Sequence, residues 1–309
     1  MGKKRKLNGE NTSKPSAIHV PQGGRQYTVS IALPGSIITN VPTHELKSHL
    51  AASIARTAAI FCVDEIVVYD DGTPEKESGL SDSTTFLIRL LEYMETPQYL
   101  RKALYPMHRD LKFAGLMHPL DCPHHLRHEE ASAFREGIAV ENVDNNTLIN
   151  TGLANPVSVL GTCPLGRRVT VQLEPPQIVS RNAPREKLGY YWGYQTRKAM
   201  DLSSVFTACP WPGGYDASVG TSERGSPLDE IASSIPPFYH LLIVFGGVAG
   251  LEQAIQSDIL LRGTQPQDLF DFWVNVCPNQ GSRTIRTEEA SLIALATLKS
   301  TIQAKGQVA

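Results

Sequence analysis

The chain has 309 residues with 29 Lys and Arg against 31 Asp and Glu, a formal charge of −2, and 41 % hydrophobic residues. This composition excludes a disordered or collagen-like chain and any strongly basic surface that would bind nucleic acid by net charge alone. A nucleic-acid footprint has to be a local patch, and residues 101–200 supply a candidate with thirteen Lys and Arg against nine Asp and Glu.

The longest uncharged apolar stretch, residues 241–251, is too short to cross a bilayer and reads as a buried strand and turn. The five cysteines, Cys62, Cys122, Cys163, Cys209 and Cys277, are odd in number and widely spaced. With no apolar segment after the basic start, a reducing compartment and no secretory signal are expected. Residues 1–6, Met-Gly-Lys-Lys-Arg-Lys, open a polar tail over 1–24 that reads as a disordered segment carrying a nuclear address, or as a merely solvated basic run.

Residues 27–33 alternate in the period of two expected of a strand, closed by Pro34-Gly35. Thr43 is placed to cap a helix on which Leu46, Leu50, Ile54 and Ala58 recur at helical spacing, and residues 64–69 form a β-branched second strand. Strand, helix, strand requires parallel pairing, so the chain opens as an α/β sheet with a right-handed crossover. A polar loop over 70–83 precedes a helix over 85–94 that Pro97 ends.

Beyond Pro106 the texture changes to short runs at 137–141, 147–150, 157–160 and 168–173, separated by Gly, Pro and Asn turns. They predict an inserted β-domain at about 111–187, a small barrel of the five-stranded OB type that binds single-stranded nucleic acid. The aromatic run 190–198 reads as a central strand packing its rings, with a base-stacking surface as the alternative. The α/β pattern then resumes, with strands at 215–221, 240–245 and 272–276 and a helix over 287–299.

Each of the last three strands runs into a glycine-bearing loop: Gly220-Thr-Ser-Glu-Arg-Gly225, Phe245-Gly246-Gly247 opening Gly250-Leu-Glu252, and residues 275–289. Three such loops at the carboxyl ends of parallel strands describe one ligand cleft lined by backbone groups. No G-x-G-x-x-G follows the first strand and no P-loop is present, and Ser222 lacks the tighter Gly-x-Ser-x-Gly spacing of a hydrolase elbow. His118, Cys122, His124, His125 and His128 crowd one segment, but without a Cys-x-x-Cys pair no metal is expected there. Cys277 has no paired His for covalent catalysis.

Thr221-Ser-Glu-Arg-Gly225, Val244-Phe-Gly-Gly247 and Asn275 with Gly281-Ser-Arg-Thr-Ile-Arg-Thr-Glu-Glu-Ala290 resemble the SPOUT-class RNA methyltransferases. So do Leu33-Pro-Gly-Ser36 and residues 61–68. The closer likeness is to the eukaryotic and archaeal branch with an OB-like insertion, over roughly residues 25–302. The resemblance implies a trefoil-knotted α/β domain over 25–110 and 188–309, interrupted by the insertion at 111–187. It also implies S-adenosylmethionine as methyl donor, S-adenosylhomocysteine as product, and a dimer with itself or a paralogue.

The implied activity is N3 methylation of a uridine in large-subunit ribosomal RNA during ribosome assembly, in the nucleus or nucleolus, with no membrane association. The alternative is a catalytically silent assembly factor that keeps the fold and binds pre-ribosomal RNA. The family's cofactor pocket maps onto Arg224, Gly246, Gly247, Asn275, Gln280, Ser282, Thr284 and Thr287. In that frame Arg224 stabilises the developing uridinate and Glu223, if desolvated, accepts the N3 proton. The alternative for Arg224 is a carboxylate pair that holds its loop.

Overall fold

A computed structural model describes residues 21–74 and 79–307; the basic run at 1–6 lies outside them. One layer is a six-stranded parallel sheet of β1 (Thr28–Pro34), β2 (Glu65–Tyr69), β8 (Gln195–Ala199), β9 (Ala217–Pro227), β10 (His240–Val244) and β11 (Phe272–Asn275), in the order β11-β9-β10-β1-β2-β8. The other is a five-stranded antiparallel sheet of β3 (Phe134–Val143), β4 (Asn146–Asn150), β5 (Val157–Leu160), β6 (Arg168–Leu173) and β7 (Pro176–Val179), in the order β5-β4-β3-β6-β7. β5 also lies against β7, which rolls this sheet into a nearly closed barrel.

The parallel strands are buried on both faces, as crossover helices require. Val29, Ile31, Leu33, Ile66, Val68, Leu241 and Ile243 pack on one side with α1 (His44–Ile60), α2 (Ser83–Glu95) and α9 (Thr287–Lys305). Ala32, Val67, Tyr69, Leu242 and Val244 pack on the other with α5 (Leu202–Thr207) and α7 (Gly250–Ser257). Thr43 caps α1 as its position predicts, accepting from the Leu46 N–H at 3.3 Å, and Asp82 does the same for α2.

Among the described residues six short helices escape the sequence pattern: α3 (Gln98–Leu104), α4 (Ala183–Leu188), α5, α6 (Leu228–Ile231), α7 and α8 (Pro266–Leu269). None is long enough to show a helical period, and tertiary packing holds them. Two readings need correction. The aromatic run does not form a central strand: Tyr191, Trp192 and Tyr194 are buried, but they precede β8, which is the edge strand. The segment Gly220–Gly225 is not a loop that leaves the sheet: β9 pairs with β11 on both sides of it, Gly220 with Trp273 and Ser226 with Val274, so residues 221–225 bulge out between two paired stretches.

The barrel is inserted between α3 and β8, so it joins the parallel layer at the amino-terminal end of the strands. Glu95, at the end of α2 and almost fully buried, makes that joint. Its carboxylate accepts from Arg168 of β6 at 2.6 Å, from Arg181 at 2.7 Å and from His124 Nε2 at 2.9 Å. Arg168 also donates through Nε to Glu136 of β3 at 2.6 Å, and Glu136 accepts from Thr170 and the Trp192 indole. Gly193, with φ of +78°, is required here, since a Cβ would lie 2.2 Å from a Glu95 oxygen.

Burial alone would raise the Glu95 pKa, but the charges of Arg168 and Arg181 and the His124 contact outweigh it and hold the carboxyl far below the usual range. A group depressed in the folded state stabilises fully above its unfolded value and loses that contribution as pH falls toward its folded value. We expect Glu95→Gln, which takes the carboxylate from Arg181 and leaves Arg168 with Glu136 alone, to lower the unfolding free energy at pH 7 by about 3–5 kcal/mol in urea titrations. The wild type should lose stability steadily below about pH 5, and the variant's curve should be flatter there.

Candidate active site

The strand order sets β11, β9, β10, β1 and β2 side by side, so the segments that leave their carboxyl ends share one rim. The end of β10 is pinned from its neighbour β9 and, across β1, from β2. Buried Tyr69 donates from its phenol to the Phe245 carbonyl at 2.7 Å, and the Thr221 hydroxyl donates to the Val244 carbonyl at 3.0 Å. With β10 held, Phe245-Gly246-Gly247 makes a tight excursion, closed by the Gly250 N–H donating to the Gly247 carbonyl at 3.0 Å, with Gly250 at φ +77°.

The glycines allow backbones to meet where a side chain could not. A Cβ on Gly246 would lie 2.6 Å from the backbone of Gly250 and Leu251, and one on Gly225 would lie 2.3 Å from the Val274 carbonyl carbon. The first residue of α9, Thr287, donates its hydroxyl to the Gly246 carbonyl at 2.9 Å and so ties the third loop to the second. Asn275, the last residue of β11, donates its amide to the Glu223 carbonyl at 3.0 Å and accepts from the Cys277 N–H at 3.0 Å, tying the third loop to β9.

Within the third loop the Gln280 amide donates to the Ser282 carbonyl at 3.0 Å, and the Ser282 hydroxyl donates to the Thr284 carbonyl at 2.8 Å. Gly281, Ser282, Arg283 and Thr284 are exposed, so their remaining backbone groups are accessible. The structure therefore gathers Glu223 with Asn275, and Gly246 with Thr287, and leaves Gln280, Ser282 and Thr284 in a self-supporting loop beside them.

Arg224 stands on the bulged end of β9 with 74 % of its side chain exposed, 3.4 Å from Glu252 at the start of α7. That contact is a solvent-facing pair worth little to stability, and it leaves most of the guanidinium free. Glu223 is also exposed, and its engaged group is the carbonyl, so the desolvation that would make it a strong proton acceptor is not present.

Two residues at this rim escaped the sequence reading. Asp71, just past β2, is buried, accepts from the Ser36 hydroxyl at 2.7 Å and lies 3.2 Å from where a Gly247 Cβ would be. Their one sequence signal is position, each following the carboxyl end of a predicted strand, and Asp70-Asp-Gly-Thr73 reads simply as a turn. Elsewhere, among the described residues no group of three or more His, Cys, Asp or Glu is placed to hold a metal. In the histidine-rich segment, His124 and His125 instead meet the Glu95 carbonyl at 2.9 and 2.8 Å.

The Gly246 packing leads to a sharp expectation. Gly246→Ala forces a Cβ against backbone that has no alternative rotamer, so it should cost about 1–3 kcal/mol. Thr287→Val, which removes only the bond to the Gly246 carbonyl, should cost about 1 kcal/mol. Thermal unfolding of both variants checks the order, and a Gly246→Ala protein as stable as Thr287→Val would refute the close approach.

A sequence family described as "Putative RNA methyltransferase" matches residues 28–298. The Homo sapiens 28S rRNA (uridine-N(3))-methyltransferase is 47 % identical over 298 residues, covering 89 % of this chain and 79 % of that protein. The Drosophila melanogaster protein of the same name is 44 % identical over 89 % of this chain and 62 % of its own length. Among solved structures, the SpoU methyltransferase AviRb of Streptomyces viridochromogenes, in complex with AdoMet, aligns over 92 % of this chain and 60 % of its own at a TM-score of 0.36 and 11 % identity. By the family match and these identities, the chain belongs to the RNA methyltransferase family that includes the 28S rRNA (uridine-N(3))-methyltransferases.

Proposed function

We propose that this protein is an S-adenosylmethionine-dependent enzyme that methylates N3 of a uridine in large-subunit ribosomal RNA, with the three rim segments as its cofactor site. The observation that carries the reading is the cross-tying of β9, the β10 loop and the β11 loop by Asn275 and Thr287. It builds a preformed cradle of exposed backbone groups where open α/β sheets bind ligands. Gly246, Gly247, Asn275, Gln280, Ser282, Thr284 and Thr287 would hold the cofactor there, the two glycines by keeping side chains out of the cradle.

When bound, S-adenosylmethionine supplies a methyl group already activated by its sulfonium centre. What remains for the chain is to align the nucleophile and to deal with the N3 proton. Arg224, with most of its donor fork uncommitted, is placed to stabilise the uridinate oxygens. Glu252, 3.4 Å from that fork, is the carboxylate beside it in this structure, and Glu223, adjacent to Arg224 in sequence and exposed here, takes the proton in this reading once bound RNA desolvates it.

The reading extends to a knotted threading of the carboxyl-terminal segments and to a dimer. Val248 before α7, and Ile259 and Leu260 after it, are large and strongly exposed apolar side chains that a second copy or a paralogue would cover. It also places the protein in the nucleus or nucleolus, supported by the basic run at 3–6. No helix of the described residues is long and apolar enough to cross a membrane.

Calorimetric titration with S-adenosylmethionine and S-adenosylhomocysteine tests the cofactor site without knowledge of the target. The wild type should bind both, and Asn275→Ala, which releases β9 from the third loop, should weaken binding at least tenfold. Arg224→Ala should lower kcat on 28S rRNA by about 10²–10³, read as N3-methyluridine by mass spectrometry. A folded wild type that binds neither ligand, or an Arg224→Ala enzyme with full activity, would overturn the assignment.

A further inference from the structure

A second cleft stands apart from the cofactor rim. It has a volume of about 410 Å³ and lies at the joint between the barrel and the parallel layer, within the range of about 300–1,000 Å³ that small-molecule sites occupy. Leu104 and Tyr105, just after α3, form one wall, and Gln195 and Thr196, the first residues of β8, form the other. Arg181 and Glu92 line it between them. We propose that this cleft holds one unstacked base of the RNA substrate, a nucleotide other than the one that is methylated. The proposal rests on the reading that the substrate is RNA.

Three features select a nucleobase. The first is a fixed aromatic wall: the half-buried Tyr105 ring is held edge-on to Tyr93 at 5.5 Å, and the Arg101 guanidinium caps Tyr93 at 4.7 Å. A base can stack on such a ring at little entropic cost. The second is an uncommitted strand edge. Among the described residues β8 pairs only with β2; the Gln195 N–H is spent on the Asp64 carbonyl at 2.9 Å, but the Thr196 backbone groups face outward and, with the exposed Gln195 amide, offer donors and acceptors together.

The third is mixed polarity. Arg181 spends Nη2 on Glu95 and the Tyr194 carbonyl, and its Nε and Nη1 have no partner among the described residues. Glu92 accepts from the Thr196 hydroxyl through Oε1 at 2.8 Å, and its Oε2 has no partner among the described residues. A phosphate would be repelled by Glu92 and Glu95, and an apolar peptide side chain would strand these groups. The edge of a base presents donors and acceptors side by side and satisfies both. Lys102 on α3, three residues before the Tyr105 wall and exposed, carries positive charge toward a flanking phosphate.

The cleft opens at the amino-terminal end of β8, whereas the cofactor cradle lies at the carboxyl ends of β9, β10 and β11. β8 and β9 are four strand positions apart, roughly 19 Å at about 4.8 Å per step. A base bound in the cleft is therefore too far away to be the methyl acceptor. It would set the register of the RNA on the enzyme.

The test uses the full chain and a short single-stranded oligouridine carrying 4-thiouridine, followed by fluorescence anisotropy at one fixed salt concentration and by ultraviolet crosslinking with peptide mapping. Tyr105→Ala should weaken binding by about tenfold, and Gln195→Ala should weaken it in the same direction. Crosslinks should map to the peptides containing Tyr105 or Gln195. On 28S rRNA the variants should raise KM with kcat retained at saturation, and calorimetric binding of S-adenosylmethionine should match the wild type, which shows that the fold is intact. Failure of the wild type to bind the oligouridine, wild-type affinity in both variants, or crosslinks confined to other surfaces would overturn the proposal. Binding that maps to the cleft with no methyl transferred would uphold it and count against the methyltransferase reading alone.

Discussion

A carboxylate buried as deeply as Glu95 has to be fully paired or protonated, and the chain pairs it from three separate segments. Arg168 comes from the barrel, Arg181 from the segment returning to the parallel sheet, and His124 from the long connection between α3 and β3. Each partner lies at least 29 residues from Glu95 in sequence, so the interaction forms only when barrel and parallel layer are docked. Arg168 then reaches onward to Glu136 inside the barrel sheet. Two acids and two arginines in one low-dielectric joint are costly to break and poor at tolerating displacement, which makes the barrel a rigid attachment.

That rigidity matters because the proposed roles fall at opposite ends of the parallel sheet. The barrel and its joint occupy the amino-terminal ends of the strands, and the loops tied by Asn275 and Thr287 occupy the carboxyl ends. An RNA that touches both has to follow the length of the sheet, and the geometry between grip and chemistry is then set by the body of the protein. On the proposed reading substrate register is a property of the docked fold, while the rim at the carboxyl ends is shaped locally by glycines that let backbones meet.

Much of the cradle was legible because its signals are local. A glycine pair after an apolar strand, and an Asn at a strand end before a Gly-Ser loop, appear in sequence as they do in space. The identities that the resemblance assigned to Gly246, Asn275 and Thr287 coincide with residues that tie the rim together. What was misread follows from pairing. Gly220–Gly225 looks like a loop until β11 is laid beside it, since a bulged strand and a glycine loop have the same composition. Asp71 and Ser36 looked like turn residues because nothing in their own segments shows that Gly247 comes to rest against them.

The opening order of strand, helix and strand, the change of texture that marks the barrel, the cap of α1, and the position of three glycine-bearing segments at strand ends were determined by sequence alone. All are periodicities or propensities expressed within a few residues. Which strand stands at the edge, where Arg224 finds its carboxylate, and how Glu95 gathers two arginines and a histidine were decided only by tertiary structure. These depend on contacts between segments tens to more than a hundred residues apart, whose cost in chain entropy is offset only when the whole core closes at once.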